Sequence, residues 1–585
     1  MEDEAGQPNR VRPLDWGLAA LTVAPFLALA VVAVVTVGHG YHGAGDNAMT
    51  EMRIGDIGAH WPTIGPFSRD GWSHPGPALF YALLLPYRLT GSHANGLLVG
   101  AALINATAIG GMVLLARRRG GTALALLVAL GALVLSASLG QTFLWDPWNP
   151  YVTVLPFGLA VVATWCVVCG DAWCLPVVAL VGTFCAQTHV GYVPLVGVLL
   201  VVAAVGLTIA RRRTPAADAP WRGTRAPVLV TVALLLVGWA PPIFQQVSSD
   251  SGNLWALWHV FTSGRAAHSM RDGFDVVGAQ FTWNPGWVTG SAPVNPFTAE
   301  PTVLSSTPWP VVWVAFAAAL VWAWRAGLRS ARTLGVVLAV LVAAGVLTVA
   351  RTLGPVYEYR LRFVWVLGML TVAYVVWVAA AFVAGRVRDR ERWARVAVGA
   401  VLTGIVALSG IGVATAASAT PPDAHNGQVV AALMPQLLRA LPPGPGVVVP
   451  TETSFGAGPL RDGIMVDLER HGIPVRLRQG ADDRLRFGDH RILTTERVRA
   501  EIRVATDEEL QTIAKWRCAR MLAYHGRVSR AAQARAVRAS DRIHQALARH
   551  EISGVEALRR LARESSDIPA AAVFRTDCGG GTPPS

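Results

Sequence analysis

Two acidic residues lie just outside long apolar segments and could act as bases. Asp46 follows an apolar run that ends near residue 37, and Asp146 lies between Trp145 and Trp148, directly before another apolar run. A carboxylate held against apolar surface has a raised pKa, which suits it to accept a proton. Each aspartate also has a structural interpretation, because aspartate is a common helix N-cap. Two such acids beside apolar runs favour chemistry over two coincidental caps.

Further polar residues follow Asp46 in the same segment. A periodic stretch at 48–57 predicts a short helix that contains Glu51 and Arg53. Five helical residues separate Asp46 from Glu51 by about 140°, so the two carboxylates should point in different directions. The segment continues through Arg69 to a His-Pro-Gly-Pro sequence that begins at His74.

Polar residues also interrupt two later apolar regions. Gln187 and His189 lie between two short apolar segments, where polar groups are unfavourable unless they line a cavity. His189 is therefore either a satisfied buried histidine or a ligand of the site. Arg360 and Arg362 lie at the start of another apolar run, where arginine either binds phosphate or extends towards the membrane surface.

The composition excludes a soluble multi-domain enzyme. Of the 585 residues, 53% are hydrophobic and 15% are charged, and the mean hydropathy is +0.42. Soluble domains carry about 25% charged residues. The net charge of +13 comes from arginines, many of them clustered between apolar runs, which indicates membrane topology and no nucleic-acid partner.

The apolar runs predict an α-helical polytopic protein of the plasma membrane with about eleven transmembrane helices. Placing the arginine clusters inside gives a cytoplasmic N-terminus at 1–13, a transmembrane domain at 14–417 and an extracytoplasmic domain at 418–585. Pro75–Leu89 is short and contains prolines, so we predict a juxtamembrane or re-entrant helix; if it crossed, every later orientation would invert. The predicted crossings are 14–37, 94–116, 121–139, 151–170, 173–188, 191–210, 227–247, 309–329, 333–350, 363–384 and 396–417.

The C-terminal region predicts a small α/β domain. A strand at 446–450, a helix at 463–470 and a strand at 473–477 form one predicted unit, and 530–564 reads as a polar helix. Cys518 and Cys578 are the two cysteines of this region, and an oxidising compartment would allow a disulfide between them. Cys166 and Cys169 have the spacing of a metal or redox pair, but their apolar neighbours favour small buried residues.

The arrangement of these acids resembles that of the GT-C membrane glycosyltransferases. The resemblance consists of Asp46 after the first span, a long first outer loop ending in His74-Pro75-Gly76-Pro77, and Asp146 before a later span. This superfamily includes the protein O-mannosyltransferases and the lipid A aminoarabinose transferases, and this chain resembles actinobacterial-type members. The resemblance covers about residues 14–417.

The resemblance implies roles for individual residues. Asp46 matches the general base that acts on the acceptor hydroxyl, Asp146 matches an acid that orients the acceptor or binds a metal, and His74 lies in the segment that approaches the donor phosphate. Asn47 stands where a second acid is common, which leaves Glu51 as a candidate for that role. A divalent cation, Mg²⁺ or Mn²⁺, is consistent with the resemblance but is not required by it.

The implied reaction is an inverting transfer of a sugar from a polyprenyl-phosphate donor in the membrane lipid to a cell-envelope glycan, lipid or protein. Trp145 and Trp148 could stack on sugar rings, although an interfacial aromatic belt explains them equally well.

The alternatives to a glycosyltransferase are a lipid-linked glycan transporter or flippase and a non-catalytic assembly protein. The scarcity of charge at the span centres favours the enzyme. The candidate donor and phosphate contacts are His74, Arg53, Arg69, His189, Gln187, Arg360 and Arg362.

Overall fold

The structure is a computed structural model that describes residues 12–576 with several gaps. The gaps are 69–70, 214–224, 250–251, 264–267, 291–309, 355–356, 388, 453–456, 479, 481, 507, 515, 517 and most of 527–569.

Apolar helices form most of the structure and pack around one large hydrophobic core. In chain order the helices of this region are α1 (Pro13–Val32), α2 (Gly45–Gly55), α3 (Ala78–Leu89), α4 (Asn95–Leu139), α5 (Gln141–Trp145), α6 (Asn149–Val152), α7 (Val154–Val168), α8 (Cys174–Thr188), α9 (Val193–Arg213), α10 (Arg225–Ser248), α11 (Asn253–Thr262), α12 (Met270–Gly278), α13 (Gly286–Thr289), α14 (Pro310–Arg325), α15 (Arg329–Ala350), α16 (Phe363–Ala384) and α17 (Arg390–Ala416).

The apolar helices agree with the predicted segments. Within the described residues, 8 helices are long and apolar enough to cross a membrane. One of them, α4, is two helices joined at Gly121, whose φ of 76° breaks the helical geometry just after the arginine cluster. With α4 divided and the shorter apolar helices α8 and α14 included, each of the eleven predicted segments coincides with a helix. How many of them cross stays a prediction.

Ion pairs at one end of the bundle connect segments that are predicted to share a membrane face. Arg117 Nε lies 2.7 Å from Asp15 Oδ1, and Arg118 Nε lies 2.6 Å from Asp171 Oδ2. These residues come from the N-terminus, the break in α4 and the α7–α8 connection. We call this the basic end of the bundle; its exposure to the cytoplasm stays a prediction.

The opposite end, which we call the loop end, carries the longer connections. A short antiparallel hairpin of β1 (Phe67–Ser68) and β2 (Trp72–Ser73) precedes α3. Helix α3 has 12 residues, and at 1.5 Å per residue its length of about 18 Å is shorter than the apolar core of a bilayer, about 30 Å. This length supports the prediction that Pro75–Leu89 does not cross.

The C-terminal domain packs on the loop end and contains a four-stranded sheet in the order β3-β4-β6-β5. Strand β3 is parallel to β4, while β4 and β5 each pair antiparallel with β6. The elements of this domain are α18 (Ala424–Ala440), β3 (Val447–Glu452), α19 (Gly458–Arg470), α20 (Asp483–Phe487), β4 (Val498–Thr506), α21 (Glu508–Ala514), β5 (Ala519–His525) and β6 (Ala571–Thr576).

The predicted strand–helix–strand unit is correct for its first two elements. Residues 473–477 form only single β-bridges, Val475 with Val448 and Leu477 with Ile492. The ladder beside Val448 does not extend because Pro450 and Pro474 have no N–H to donate. The predicted helix at 530–564 lies almost entirely outside the described residues.

Cys518 is disulfide-bonded. Cys578 lies outside the described residues, so the predicted pairing of Cys518 with Cys578 stays a prediction. Cys166 and Cys169 are free thiols.

Candidate active site

A cavity of about 1420 Å³ lies between the loop end of the bundle and the C-terminal domain. Its membrane-domain wall comes from α2, α6, α9, α11, α15 and the segment before α16, and its other wall comes from β3, α19 and α20. The polar side chains that line it include Asp46, Ser68, His74, Asn149, His189, Arg351, Tyr357, Tyr359, Arg360, Glu452, Asp462, Asp482 and Arg486.

The two predicted acids meet around Trp148. The indole Nε1–H of Trp148 donates to Asp46 Oδ2 over 2.7 Å, and the backbone N–H of Trp148 donates to Asp146 Oδ1 over 2.9 Å. Asp46 lies in the first turn of α2 and lines the cavity. Asp146 lies behind it, 8% exposed, in the turn between α5 and α6. One tryptophan therefore fixes both carboxylates.

The environment of Asp146 moves its ionisation towards neutral pH. Burial raises the pKa of Asp146 to about 7, and the negative charges of Asp46 and Asp423 add to the rise. Hydrogen bonds from Trp148 and Asn47 oppose it. A carboxyl group with this pKa changes its ionisation near neutral pH, as acid–base chemistry requires.

The two predicted histidines lie together in the cavity. The rings of His74 and His189 are 4.9 Å apart. His74 Nδ1 accepts from the backbone N–H of Val190 over 3.1 Å, and His189 Nδ1 accepts from Gly191 over 3.2 Å. Since a backbone N–H can only donate, the neutral ring must carry its proton on Nε2 in both cases.

Burial keeps these histidines neutral. It lowers the pKa of His189 to about 3 and holds the pKa of His74 well below its ordinary value; nearby positive charge on Arg360 acts in the same direction on both. Two Nε2–H groups beside a permanent cation form a donor set suited to an anion.

Arginine and aromatic side chains from the segment before α16 complete this wall. The guanidinium of Arg360 donates to the carbonyl oxygen of Leu353 over 3.2 Å and lies over the ring of Tyr357 at 5.1 Å. Tyr357 and Tyr359 are stacked, with an interplanar angle of 15°, and Tyr359 lies 4.9 Å from Trp148. The aromatic faces connect the Arg360 region with the Asp46 region.

Glu51 and Arg53 do not line the cavity, contrary to the predictions for them. Glu51 is 1% exposed and pairs with Arg470 of α19. Arg53 Nη1 donates to Asp56 Oδ2 over 3.0 Å. The offset of about 140° turns Glu51 away from Asp46 and onto the C-terminal domain. Arg53 lies on the Asp46 side of α2, but it is two turns further along the helix, about 10 Å away.

Three other predicted residues have structural contacts outside the cavity lining. Arg362 pairs with Glu358 and lies over the rings of Phe143, Tyr151 and Trp365. Trp145 is fully buried and so unable to stack on a sugar. The side chain of Gln187 donates to the carbonyl of Gly238 over 2.6 Å, which Pro242 of α10 leaves without its helical partner. Arg69 lies outside the described residues.

Asp423 belongs to the site region, but it was not among the predicted site residues. Asp423 is the N-cap of α18 and has a φ of 50°, an uncommon conformation for a residue other than glycine. Its charge raises the pKa of Asp146. Arg351 directly follows α15 as its C-cap and lines the cavity. Asp423 lies shortly after the last apolar run. Because Asp46 was recognised by its position after an apolar run, the same signal could have identified Asp423.

A metal ion in the cavity would need several ligand side chains close together. Within the described ranges, no three His, Cys, Asp or Glu side chains are grouped so that they could hold a metal ion. The carboxylates of Asp46 and Asp146 are instead held by the N–H groups of Trp148.

Comparison with known proteins establishes the fold. No model of a known family matches the sequence, and no curated protein matches it. The chain is similar to the crystal structure of ArnT from Cupriavidus metallidurans bound to undecaprenyl phosphate, with 14% identity and a TM-score of 0.50, over 85% of this chain and 95% of that chain. The apo state of ArnT matches over the same shares, with 14% identity and a TM-score of 0.47. The chain thus has an ArnT-like fold, and its apolar helices support the multi-pass membrane protein that its sequence predicts.

Proposed function

We propose that this protein is a membrane glycosyltransferase that moves a sugar from a polyprenyl-phosphate donor to an acceptor hydroxyl in the cell envelope, with inversion. The observation that carries the proposal is the composition of one cavity, in which Asp46, two neutral histidines and Arg360 face a shared space. A base and an anion-binding group are the two requirements of this transfer.

The donor fits the membrane-domain wall. Apolar side chains of α9, α11 and α15, including Val198, Leu257, Phe261 and Leu347, line the cavity next to the polar cluster. An isoprenoid chain would bury apolar surface there while its phosphate met the Nε2–H groups of the histidines and the guanidinium of Arg360. The ArnT structure with undecaprenyl phosphate, a lipid of this class, supports the assignment by analogy of fold.

The reaction follows from these positions. The acceptor oxygen attacks the anomeric carbon, Asp46 takes the hydroxyl proton, and the bond from that carbon to the phosphate oxygen breaks. The phosphate leaves with the bonding electron pair, and the donors around Arg360 stabilise its negative charge. Attack opposite the leaving group inverts the anomeric centre. Trp148 keeps the carboxylate of Asp46 in place through its indole N–H.

Asp46→Asn tests the proposal, because the amide cannot accept the proton. Cells without the protein should accumulate a polyprenyl-phosphate sugar and lose an envelope sugar, and mass spectrometry should show that the wild-type gene reverses both changes. Asp46→Asn should not reverse them, with transfer reduced by about 100-fold or more. Asp275→Asn, which alters a partly exposed acid of α12, is the matched control and should behave as wild type.

Two results would contradict the proposal. Transfer that continues unchanged in Asp46→Asn would remove the general base. Translocation of an intact lipid-linked glycan, with no new glycosidic bond, would favour a transporter.

A further inference from the structure

Helix α2 has two faces that contact different domains. The first turn presents Asp46 to the cavity and to Trp148. Ala48 and Met52, 0% and 3% exposed, pack in one hydrophobic cluster with Leu460 and Ile464 of α19. The helix that carries the proposed base therefore shares its core with the C-terminal domain.

A buried ion pair fixes the middle of α2. Arg470 Nη2 lies 2.5 Å from Glu51 Oε1, and the same guanidinium pairs with Asp467 of its own helix. The hydroxyl of Tyr87 donates to Glu51 Oε1 over 3.4 Å. A carboxylate with 1% exposure is strongly unfavourable without its cation, so removing Arg470 alone should displace α2.

A second ion pair fixes the C-terminal end of α2. Arg491 binds both carboxylate oxygens of Asp56, with Nη2–Oδ1 and Nη1–Oδ2 distances of 2.8 Å and 3.1 Å. Glu469 holds Arg491 from the other side, with Nε–Oε1 and Nη2–Oε2 distances of 2.8 Å and 2.7 Å. Bidentate geometry restrains orientation as well as distance.

Close backbone contacts hold the segment that leads into α2. A β-carbon on Gly463 of α19 would lie 2.7 Å from the carbonyl oxygen of Gly43, and one on Gly427 of α18 would lie 2.4 Å from that of His42. Both distances are shorter than a β-carbon tolerates, so only glycine allows this approach. His42 Nδ1 also lies 2.5 Å from Asp467 Oδ2.

We propose that Arg470 and Arg491 of the C-terminal domain are positioning residues for sugar transfer, because they hold α2 where Asp46 meets Trp148. The proposal rests on the proposed function of Asp46 as the base. It makes the C-terminal domain part of the framework of the active site. Neither arginine lies in the cavity lining, so each acts through α2.

The test compares Arg470→Gln and Arg491→Gln with the control Arg478→Gln in the full-length protein. Arg478 pairs with Glu501 at the surface of the same domain, and its side chain is 62% exposed. Hydrogen exchange of residues 45–55 should become about tenfold faster in both variants and remain unchanged in the control. In the transfer assay, kcat should fall by about 10- to 100-fold while KM for the donor changes by less than about twofold.

A double variant separates positioning from chemistry. Glu51→Gln with Arg470→Gln removes both charges of the Glu51–Arg470 pair and leaves Asp467 paired with His42, so it should recover part of the activity that Arg470→Gln loses. If Glu51 took part in proton transfer, the double variant would be no better than Glu51→Gln alone, and the positioning proposal would be wrong.

The two proposals can fail separately. Unchanged exchange at 45–55 in Arg470→Gln and Arg491→Gln would overturn positioning even if wild-type transfer is observed. Exchange at 45–55 could instead be faster in both variants while the wild-type protein forms no glycosidic bond. That result would refute the proposed function, and with it the role of α2 in transfer.

Discussion

Burial has opposite consequences for the acid and the histidines of the site. It raises the pKa of Asp146 to about 7 and lowers that of His189 to about 3, because a low-dielectric environment disfavours the charged form of either group. Near neutral pH the histidines therefore remain neutral hydrogen-bond donors, while Asp146 is divided between its two forms. Asp146 is the group whose ionisation should govern the pH dependence.

We expect the rate of transfer to rise with pH through about 7 and then to level off. Below that pH Asp146 carries a proton and cannot accept the Trp148 hydrogen bond as a carboxylate. Measurement of kcat/KM for the wild type and for Asp146→Asn between about pH 5.5 and about pH 8.5 checks this. Asp146→Asn should show a lower rate without the step near 7; the same step in both proteins would assign it to another group.

The same shift has the opposite sign for stability. Because the folded state raises the pKa of Asp146, the folded protein binds this proton more tightly than the unfolded chain does. The stabilising contribution is fully present below the unfolded pKa of about 3.9 and is lost as the pH rises through about 7. Activity and stability should therefore change in opposite directions across this range.

At the scale of elements, α10 shows how a polar residue near an apolar helix can be structural. Pro241 and Pro242 lie inside α10, and Pro242 has no N–H for the carbonyl of Gly238. Gln187 at the end of α8 donates to that carbonyl over 2.6 Å. An unpaired carbonyl at membrane depth is unfavourable, so this contact joins α8 to α10.

We expect Gln187→Met to destabilise the protein by about 1 kcal/mol with little direct effect on donor binding. The apparent melting temperature in detergent should fall, while KM for the donor should change by less than about twofold. Thr107→Val is the control, because the Thr107 hydroxyl bonds only to Leu103 of its own helix. A large rise in KM without a change in melting temperature would return Gln187 to the donor site.

The sequence predicted the features that depend on neighbouring residues and missed those that depend on residues far apart in the chain. Apolar length is a local property, so the eleven predicted segments coincide with helices. Asp46 and Asp146 were recognised because each stands beside an apolar run. The partner of Glu51 is Arg470, 419 residues away in the chain, and no local pattern identifies such a pair. The 140° offset on α2 did separate Glu51 from Asp46, but it did not say what Glu51 would face.

At the scale of the whole molecule, the two ends of the bundle make the predicted orientation testable. Ser269 lies at the loop end, next to His268, whose ring contacts the cavity-lining Gly354. Arg386 lies beyond the far end of α16, which begins at the cavity and has 22 residues, about 33 Å of helix. The two sites should therefore lie on opposite faces of the membrane.

In intact cells, a membrane-impermeant thiol reagent should label Ser269→Cys and should label Arg386→Cys only after permeabilisation. Labelling of the wild type gives the background, since four native cysteines are free and mostly buried and Cys518 is disulfide-bonded. The reverse pattern would mean that the whole bundle has the opposite orientation and that the cavity opens to the cytoplasm, because the contact between Asp46 and Trp148 keeps both flanks of Pro75–Leu89 at the loop end. Nucleotide sugars would then be available to the site, and the argument for a lipid-linked donor would lose its basis in location. The labelling experiment therefore tests the predicted membrane orientation and the proposed lipid-linked donor together.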